Sequence, residues 1–195
     1  MVSLRRDLAT REGAVNRMVQ RQQHRGPDDR GLHSDGPATL GMCRLAIIDP
    51  ANGHQPMVSP DGRFTLVFNG AIYNYRALQT ELALGGWNFR TNCDTEVLLA
   101  AYALHGAACL PRLRGMFAFA IWDADKRTLL LARDPLGIKP LYYARLPDSG
   151  VILASELNAL LASGAVSREI DPSSAGEYLA WFSVPAPRTM WRGCR

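Results

Sequence analysis

The stretch FTLVFNGAIYNY, Phe64 to Tyr75, decides how the rest of the chain is read. Phe64 to Phe68 is aromatic and β-branched, the composition of a strand. Asn69-Gly70 follows at once and closes that strand. An Asn-Gly step is the strongest short signal for a tight hairpin turn, because both residues tolerate positive φ. Here, however, it leads into Ile72-Tyr73-Asn74 and a helix pattern rather than a returning strand. The alternative is chemical. An Asn side-chain amide and the next backbone N–H together form an oxyanion hole, and each such donor contributes about 2.7–4 kcal/mol to a transition state. Spacing alone leaves both readings open.

Downstream, Asn74 is placed to cap a helix carrying Leu78 and Leu82 and ended by Gly85-Gly86. Thr91 and Asp94 are placed to cap the next, in which Val97, Leu98, Ala101 and Tyr102 keep helical spacing. After Met116 the pattern changes to short strands at 117–122, 128–133, 141–144 and 151–154, then helices at 156–161 and 173–181. Upstream, a helix runs to Gln23 and breaks at His24-Arg25-Gly26-Pro27-Asp28-Asp29, and Thr39 to Ile48 reads as a strand. Hairpins mixed with helices, without regular βαβ alternation, predict an α+β fold on antiparallel sheets.

Length and composition narrow the class. The chain has 195 residues, 47% hydrophobic and 21% charged, an ordinary globular mixture for one domain of about 100–200 residues. Cysteines 43, 93, 109 and 194 form neither a zinc spacing nor a secreted disulfide framework. No apolar run reaches the roughly 18 residues of a membrane span, and the expectation is a cytoplasmic chain without membrane contact. The net charge of +4 gathers in Arg5, Arg6, Arg11, Arg17, Arg21, Arg25 and Arg30. No stacking-aromatic motif or zinc knuckle accompanies that stripe, so a solvated helix face is preferred to nucleic-acid binding.

Three further groups carry possible chemistry. Arg44 lies within Met42-Cys43-Arg44-Leu45-Ala46-Ile47-Ile48. A mid-strand guanidinium sits on a wet face or grips a carboxylate with two parallel hydrogen bonds. Asp94 caps a helix or holds an ammonium group. An Arg and an Asp flanking an oxyanion donor would suit a free amino acid. The run from Arg133 to Tyr143, RDPLGIKPLYY, reads as a proline-glycine turn. Histidines 24, 33, 54 and 105 lack ligand spacing, so no metal site is expected.

Seven segments together resemble the glutamine-hydrolysing domain of asparagine synthetases, class II glutamine amidotransferases: HRGPDDRG (24–31), RLAIIDPANGHQPM (44–57), FNGAIYNY (68–75), CDTEVLLAAY (93–102), RGMFAFAIWD (114–123), RDPLGIKPLYY (133–143) and ASELNALL (154–161). The resemblance implies a four-layer αββα N-terminal-nucleophile (Ntn) hydrolase sandwich with two stacked antiparallel sheets. It also implies that Arg44, with Leu45, Ala46, Ile47 and Ile48, holds the α-carboxylate of glutamine. Asp94 would hold the α-ammonium, and Asn69 and Gly70, followed by Ala71, would line the oxyanion hole.

The departures are equally specific. The family opens Met-Cys-Gly-Ile, whereas this chain opens Met1-Val2-Ser3-Leu4-Arg5-Arg6. No cysteine precedes the internal Cys43, and Ala71 replaces the acid usual after Asn-Gly. The expectation is therefore a type 2 amidotransferase domain over 1–183 lacking its first strand and its nucleophile. Residues 184–195, opening Val184-Pro185-Ala186-Pro187, are read as a linker, with too few residues after the prolines to form structure. By descent the function is glutamine hydrolysis supplying ammonia for ATP-dependent asparagine formation. ATP and magnesium belong to the family's synthetase domain, and none is expected on this chain. The chain alone is expected to be inactive, since losing a nucleophile leaves about 10³–10⁴ over water. The alternatives are a non-catalytic glutamine-binding or subunit-docking module, or an amidotransferase domain for another acceptor. Besides glutamine, the expected partners are a synthetase domain or subunit, or a second copy.

Overall fold

The computed structural model describes residues 1–3 and 5–195; Leu4, in the opening segment quoted above, lies outside them. One sheet has the strand order β3 (Met57–Val58), β4 (Phe64–Ile72), β5 (Gly115–Asp123), β6 (Thr128–Arg133), all antiparallel. The two-residue period of a strand divides its side chains between two faces. Phe64, Leu66, Phe68, Ile72, Phe117, Phe119 and Ile121 point outward into a core with α2 (Tyr75–Leu84) and α3 (Asp94–His105). Val67, Ala120 and Trp122 point the other way, into a core shared with the second sheet. Val97 to Ala101 of α3 are all buried, as their unbroken apolar run requires.

The second sheet is built from two hairpins, β1 (Asp29–Asp35) with β2 (Ala38–Arg44), and β7 (Tyr142–Arg145) with β8 (Val151–Ala154). Val2 forms antiparallel bridges to both Ala38 and Val151 and so joins them. Among the described residues Met1 to Ser3 forms no strand of this sheet and contributes only the single bridging residue Val2. Val2 and Val151 exchange two backbone hydrogen bonds of 2.8 Å, and Ser3 N–H donates to Pro37 O. α1 (Leu8–Arg21) and α4 (Leu157–Ala162) cover the outer face through Ala14, Val15, Met18, Val19, Ala159 and Leu160. Helices, sheet, sheet, helices: the order is the αββα sandwich implied by the resemblance.

Several boundaries differ from the sequence reading. The strand expected over 39–48 stops at Arg44, whose guanidinium folds back onto the next loop. The strand expected to close at Asn69-Gly70 continues to Ile72, with Asn69 opposite Ala118 and Gly70 opposite Phe117. Gly70 makes this possible, because a Cβ there would lie 2.2 Å from Met116 O. β1, β3 and the 3₁₀ turn at Gly106–Arg112 carry no periodic signal and were not anticipated. Asn74 occupies the cap position of α2, but its side chain instead bridges Arg112 O and Arg114 N–H. The segment after the prolines is structured: Tyr143 and Arg195 exchange backbone hydrogen bonds of 2.7 and 2.9 Å, and α5 (Pro172–Trp181) precedes it.

Three members of the basic stripe stitch elements together. Arg11 is buried and donates to Arg6 O, Gly36 O and Thr39 Oγ1, Arg17 reaches Ala162 O and Ser163 O, and Arg6 pairs with Asp148. Among the described residues no helix is long and apolar enough to cross a membrane.

Two buried charges make testable demands. Neither Thr91 nor Asp94 is the cap of α3; Cys93 is. The fully buried Glu96 does the work expected of Thr91, accepting the N–H groups of Arg90 and Thr91 and the Thr91 hydroxyl. Glu96→Ala leaves those donors unpaired and is expected to lower unfolding free energy by about 3 kcal/mol in urea titration. The Met1 α-amine is buried and donates to Thr39 O at 2.7 Å. Desolvation, aided by the Arg11 charge, lowers its pKa from 8.0 to about 5. Between those values the unfolded chain binds a proton that the native one refuses, so stability falls on acidification. The expected loss from pH 8.5 to 5.5 is about 3 kcal/mol, and α-amine acetylation should remove that component of the pH slope.

Candidate functional site

A cavity of about 410 Å³ lies between the two sheets, and the exposed lining residues Arg25, Leu45 and Ile47 mark its mouth. Its walls bring together Arg44, Leu45, Ile47, Ile48, Asn69, Gly70, Ala71 and Asp94. Of the residues singled out in the sequence, Ala46 alone is not part of the wall; its N–H instead donates to Asp28 at 2.9 Å.

β4 and α3 position the centre of the site. Because β4 runs past Asn69 and Gly70, it delivers the Ile72 N–H to the Asp94 carboxylate at 2.9 Å. Asp94 is the first residue of α3 and 5% exposed. Burial pushes its pKa above the ordinary carboxylate value, against the Ile72 and helix N–H groups and the Arg44 charge. A desolvated carboxylate short of a cation suits an ammonium ligand.

Arg44 is buried and already engaged. Its guanidinium donates to Pro50 O at 2.9 Å, Ile48 O at 3.1 Å and Asp49 O at 3.0 Å, curling the loop after β2 around itself. Gly53 is required beneath it, since a Cβ there would meet Arg44 Nη2 at 2.3 Å. Asp49 ties the same loop to the start of α3 by accepting the Asn92 N–H at 2.9 Å. Arg44 is thus the scaffold of the wall as well as a positive charge within it.

Two lining residues had no signal in the sequence. Gln55 is buried, accepts the Phe68 N–H at 2.7 Å and reaches Thr95 Oγ1 at 3.4 Å, pinning β4 to α3. Lys139 reaches the cavity because Asp134 accepts the N–H groups of Phe117, Ile138 and Lys139 and folds the 133–143 turn inward. A composition reading finds that turn but not the direction it faces.

The reactive groups near the cavity are poorly placed for attack. Cys43 lines it, but burial raises its thiol pKa and the thiol donates to Val19 O at 2.9 Å. Ser3 is buried and donates to Asp148, while accepting the N–H groups of Arg5 and Arg6. Met1 does line the cavity and brings its amine there, with a thioether side chain. His24 pairs with Glu156 and His54 with Asp29, and among the described residues no group of His, Cys, Asp and Glu is gathered for a metal.

Comparison with known proteins identifies the family. Residues 2–195 match the family described as "Glutamine amidotransferase domain". The chain is 43% identical over 182 residues to "Asparagine synthetase [glutamine-hydrolyzing] 1" of Bacillus subtilis, covering 93% of this chain and 28% of that protein. It is 41% identical over 157 residues to "Asparagine synthetase B [glutamine-hydrolyzing]" of Escherichia coli, covering 80% and 28%. It spans less than a third of the length of these relatives. Among solved structures it is similar to glutamine phosphoribosylpyrophosphate amidotransferase from Bacillus subtilis, with TM-score 0.63, 26% identity, and coverage of 82% of this chain and 43% of that one. With the αββα sandwich and the cavity between its sheets, these matches establish that the chain belongs to the glutamine amidotransferase domain family.

Proposed function

We propose that this domain recognises free glutamine as the amide-donor half of an asparagine-synthetase-type enzyme, and that the 195-residue chain binds glutamine without hydrolysing it. The observation that carries the reading is the convergence of Arg44, Asn69, Gly70 and Asp94 on one cavity. Asp94 takes the α-ammonium, for which its desolvated carboxylate is suited. The Arg44 charge and the loop curled around it take the α-carboxylate. Asn69 and the Gly70 N–H face the side-chain amide, where donors would stabilise developing negative charge on oxygen. No residue of this chain is assigned to ATP, magnesium or the amide acceptor. A docking role beside a separate synthetase unit is favoured by one observation: Leu179, Trp181 and Phe182, around the end of α5, are 79%, 72% and 84% exposed.

Calorimetry tests the binding. Saturable heat with glutamine is expected, weakened at least tenfold by Asp94→Asn, which keeps the shape and removes the charge. Arg44→Lys should weaken it similarly, because one ammonium cannot hold three carbonyls of the loop and still face a ligand. Affinity should fall on acidification at a pH above the ordinary aspartate range, as Asp94 becomes protonated.

Ammonia release tests the chemistry. The purified chain should liberate none from glutamine above the Asn69→Ala background in a coupled assay. Turnover abolished by Asn69→Ala would show that another group supplies the nucleophile.

A further inference from the structure

The charged side chains around the cavity do not balance. Among the described residues Arg25, Arg44 and Lys139 line it, against the single carboxylate of Asp94. Arg25 is answered by Glu156 at 3.3 Å. In the reading above, the α-carboxylate of an amino acid answers Arg44 and its α-ammonium answers Asp94. Lys139 is left over: among the described residues no carboxylate pairs with its ammonium. Its backbone is fixed from both sides. Asp134 Oδ2 accepts the Lys139 N–H at 3.0 Å and the Phe117 N–H at 3.2 Å, while the Arg133 guanidinium donates to Lys139 O at 2.8 Å. Phe117 stands opposite Gly70 in the pairing of β4 with β5, and Met116 stands opposite Ala71. The shared carboxylate oxygen therefore sets Lys139 beside the strand pair that carries Gly70 and Ala71. Gly70, Ala71, Met116 and Lys139 all line the cavity. That is the end assigned above to the side-chain amide of glutamine, a group with no charge to set against an ammonium.

We infer that Lys139 is a specificity-determining residue: it makes the cavity select an amino acid with an anionic side chain, so that glutamate is held more tightly than glutamine. The inference rests on the amino-acid reading of the cavity and goes further by fixing the charge of the side chain it takes. Glutamate has the shape of glutamine with a carboxylate in place of the amide, so Arg44 and Asp94 meet the same two groups in either ligand. Its side-chain carboxylate completes the count, two anions and one cation on the ligand against Arg44, Lys139 and Asp94. Lys139 carries three rotatable donors on a flexible four-carbon stem, which suits a lone carboxylate at the end of a side chain. Donation from that ammonium and from the Asn69 amide would be charge-assisted, roughly twice as strong as a bond between neutral groups. Between two packed sheets the attraction is also less screened than in water. Ala71 leaves the balance open, because the methyl group next to Gly70 brings no acid to neutralise Lys139.

The test is calorimetry of the intact chain with L-glutamate and with L-glutamine at neutral pH. Glutamate is expected to bind at least tenfold more tightly. Lys139→Met should abolish the difference, bringing glutamate affinity down to that of glutamine or below, and Lys139→Arg should restore most of it. Ala71→Glu, which leaves Lys139 in place and gives it a carboxylate, should also remove the preference. Glutamine binding with no preference for glutamate, or a preference that survives both Lys139→Met and Ala71→Glu, would overturn this inference and leave the amino-acid reading standing. Heat from neither ligand would overturn both. Heat from glutamate alone, lost in Lys139→Met, would support the role of Lys139 and replace glutamine as the ligand of that reading.

Discussion

The hydrogen bond from Ile72 N–H to the Asp94 carboxylate, 2.9 Å long, connects the two things this structure has to do at once. It requires β4 to stay extended through Asn69 and Gly70, and it requires α3 to begin at the strand's end. The first condition depends on β5 approaching so closely that only glycine fits at position 70. The second depends on Glu96, which gathers the loop before α3 and fixes where the helix starts. A carboxylate held this way is buried, aimed and short of a counter-charge. Those three properties are what the proposed role as a receptor for an ammonium group asks of it.

Much of this was legible in the chain. Thr128–Arg133 and Val151–Ala154 form strands as read, because short alternating apolar runs between turn residues have few other uses. The resemblance implies that Arg44, Asn69, Gly70 and Asp94 surround one ligand, and the four residues line one cavity. What failed has a common cause. Asn69-Gly70 looked like a strand end because local propensity favours a turn, and pairing along the whole of β5 overrides it. The strand through Ile48 ended early because Arg44 captures three carbonyls, an event no local window contains. Gln55 and Lys139 were missed for the same reason: their partners are 13 or more residues away, or on a turn whose direction is tertiary.

Arg44 shows why residue type and residue role must be separated. A guanidinium is suited to a carboxylate, and the cavity contains this one, yet three of its bonds go to the chain's own backbone. A lysine would retain the charge and lose the geometry. The loop it supports is joined to α3 through Asp49 and Asn92, so both ligand-facing charges belong to one connected wall. Displacing either would disturb the other, and mutational effects at Arg44 and Asp94 should not add.

In the proposed reading, recognition depends on one part of the fold in particular. The charges and amide donors that face the ligand lie on β2, its following loop, β4 and α3, elements that pack against well-filled cores. Val2 bridges β2 and β8, and Met1 beside it also lines the cavity. Asn69 takes its position from β4 paired with β5, and Asp94 from the start of α3 and the Ile72 N–H, so neither depends on Met1 to Ser3. The proposed separation of binding from turnover draws on this contrast: Asp94 is fixed by the Ile72 N–H, whereas Cys43, the thiol on the cavity wall, is turned to a backbone carbonyl.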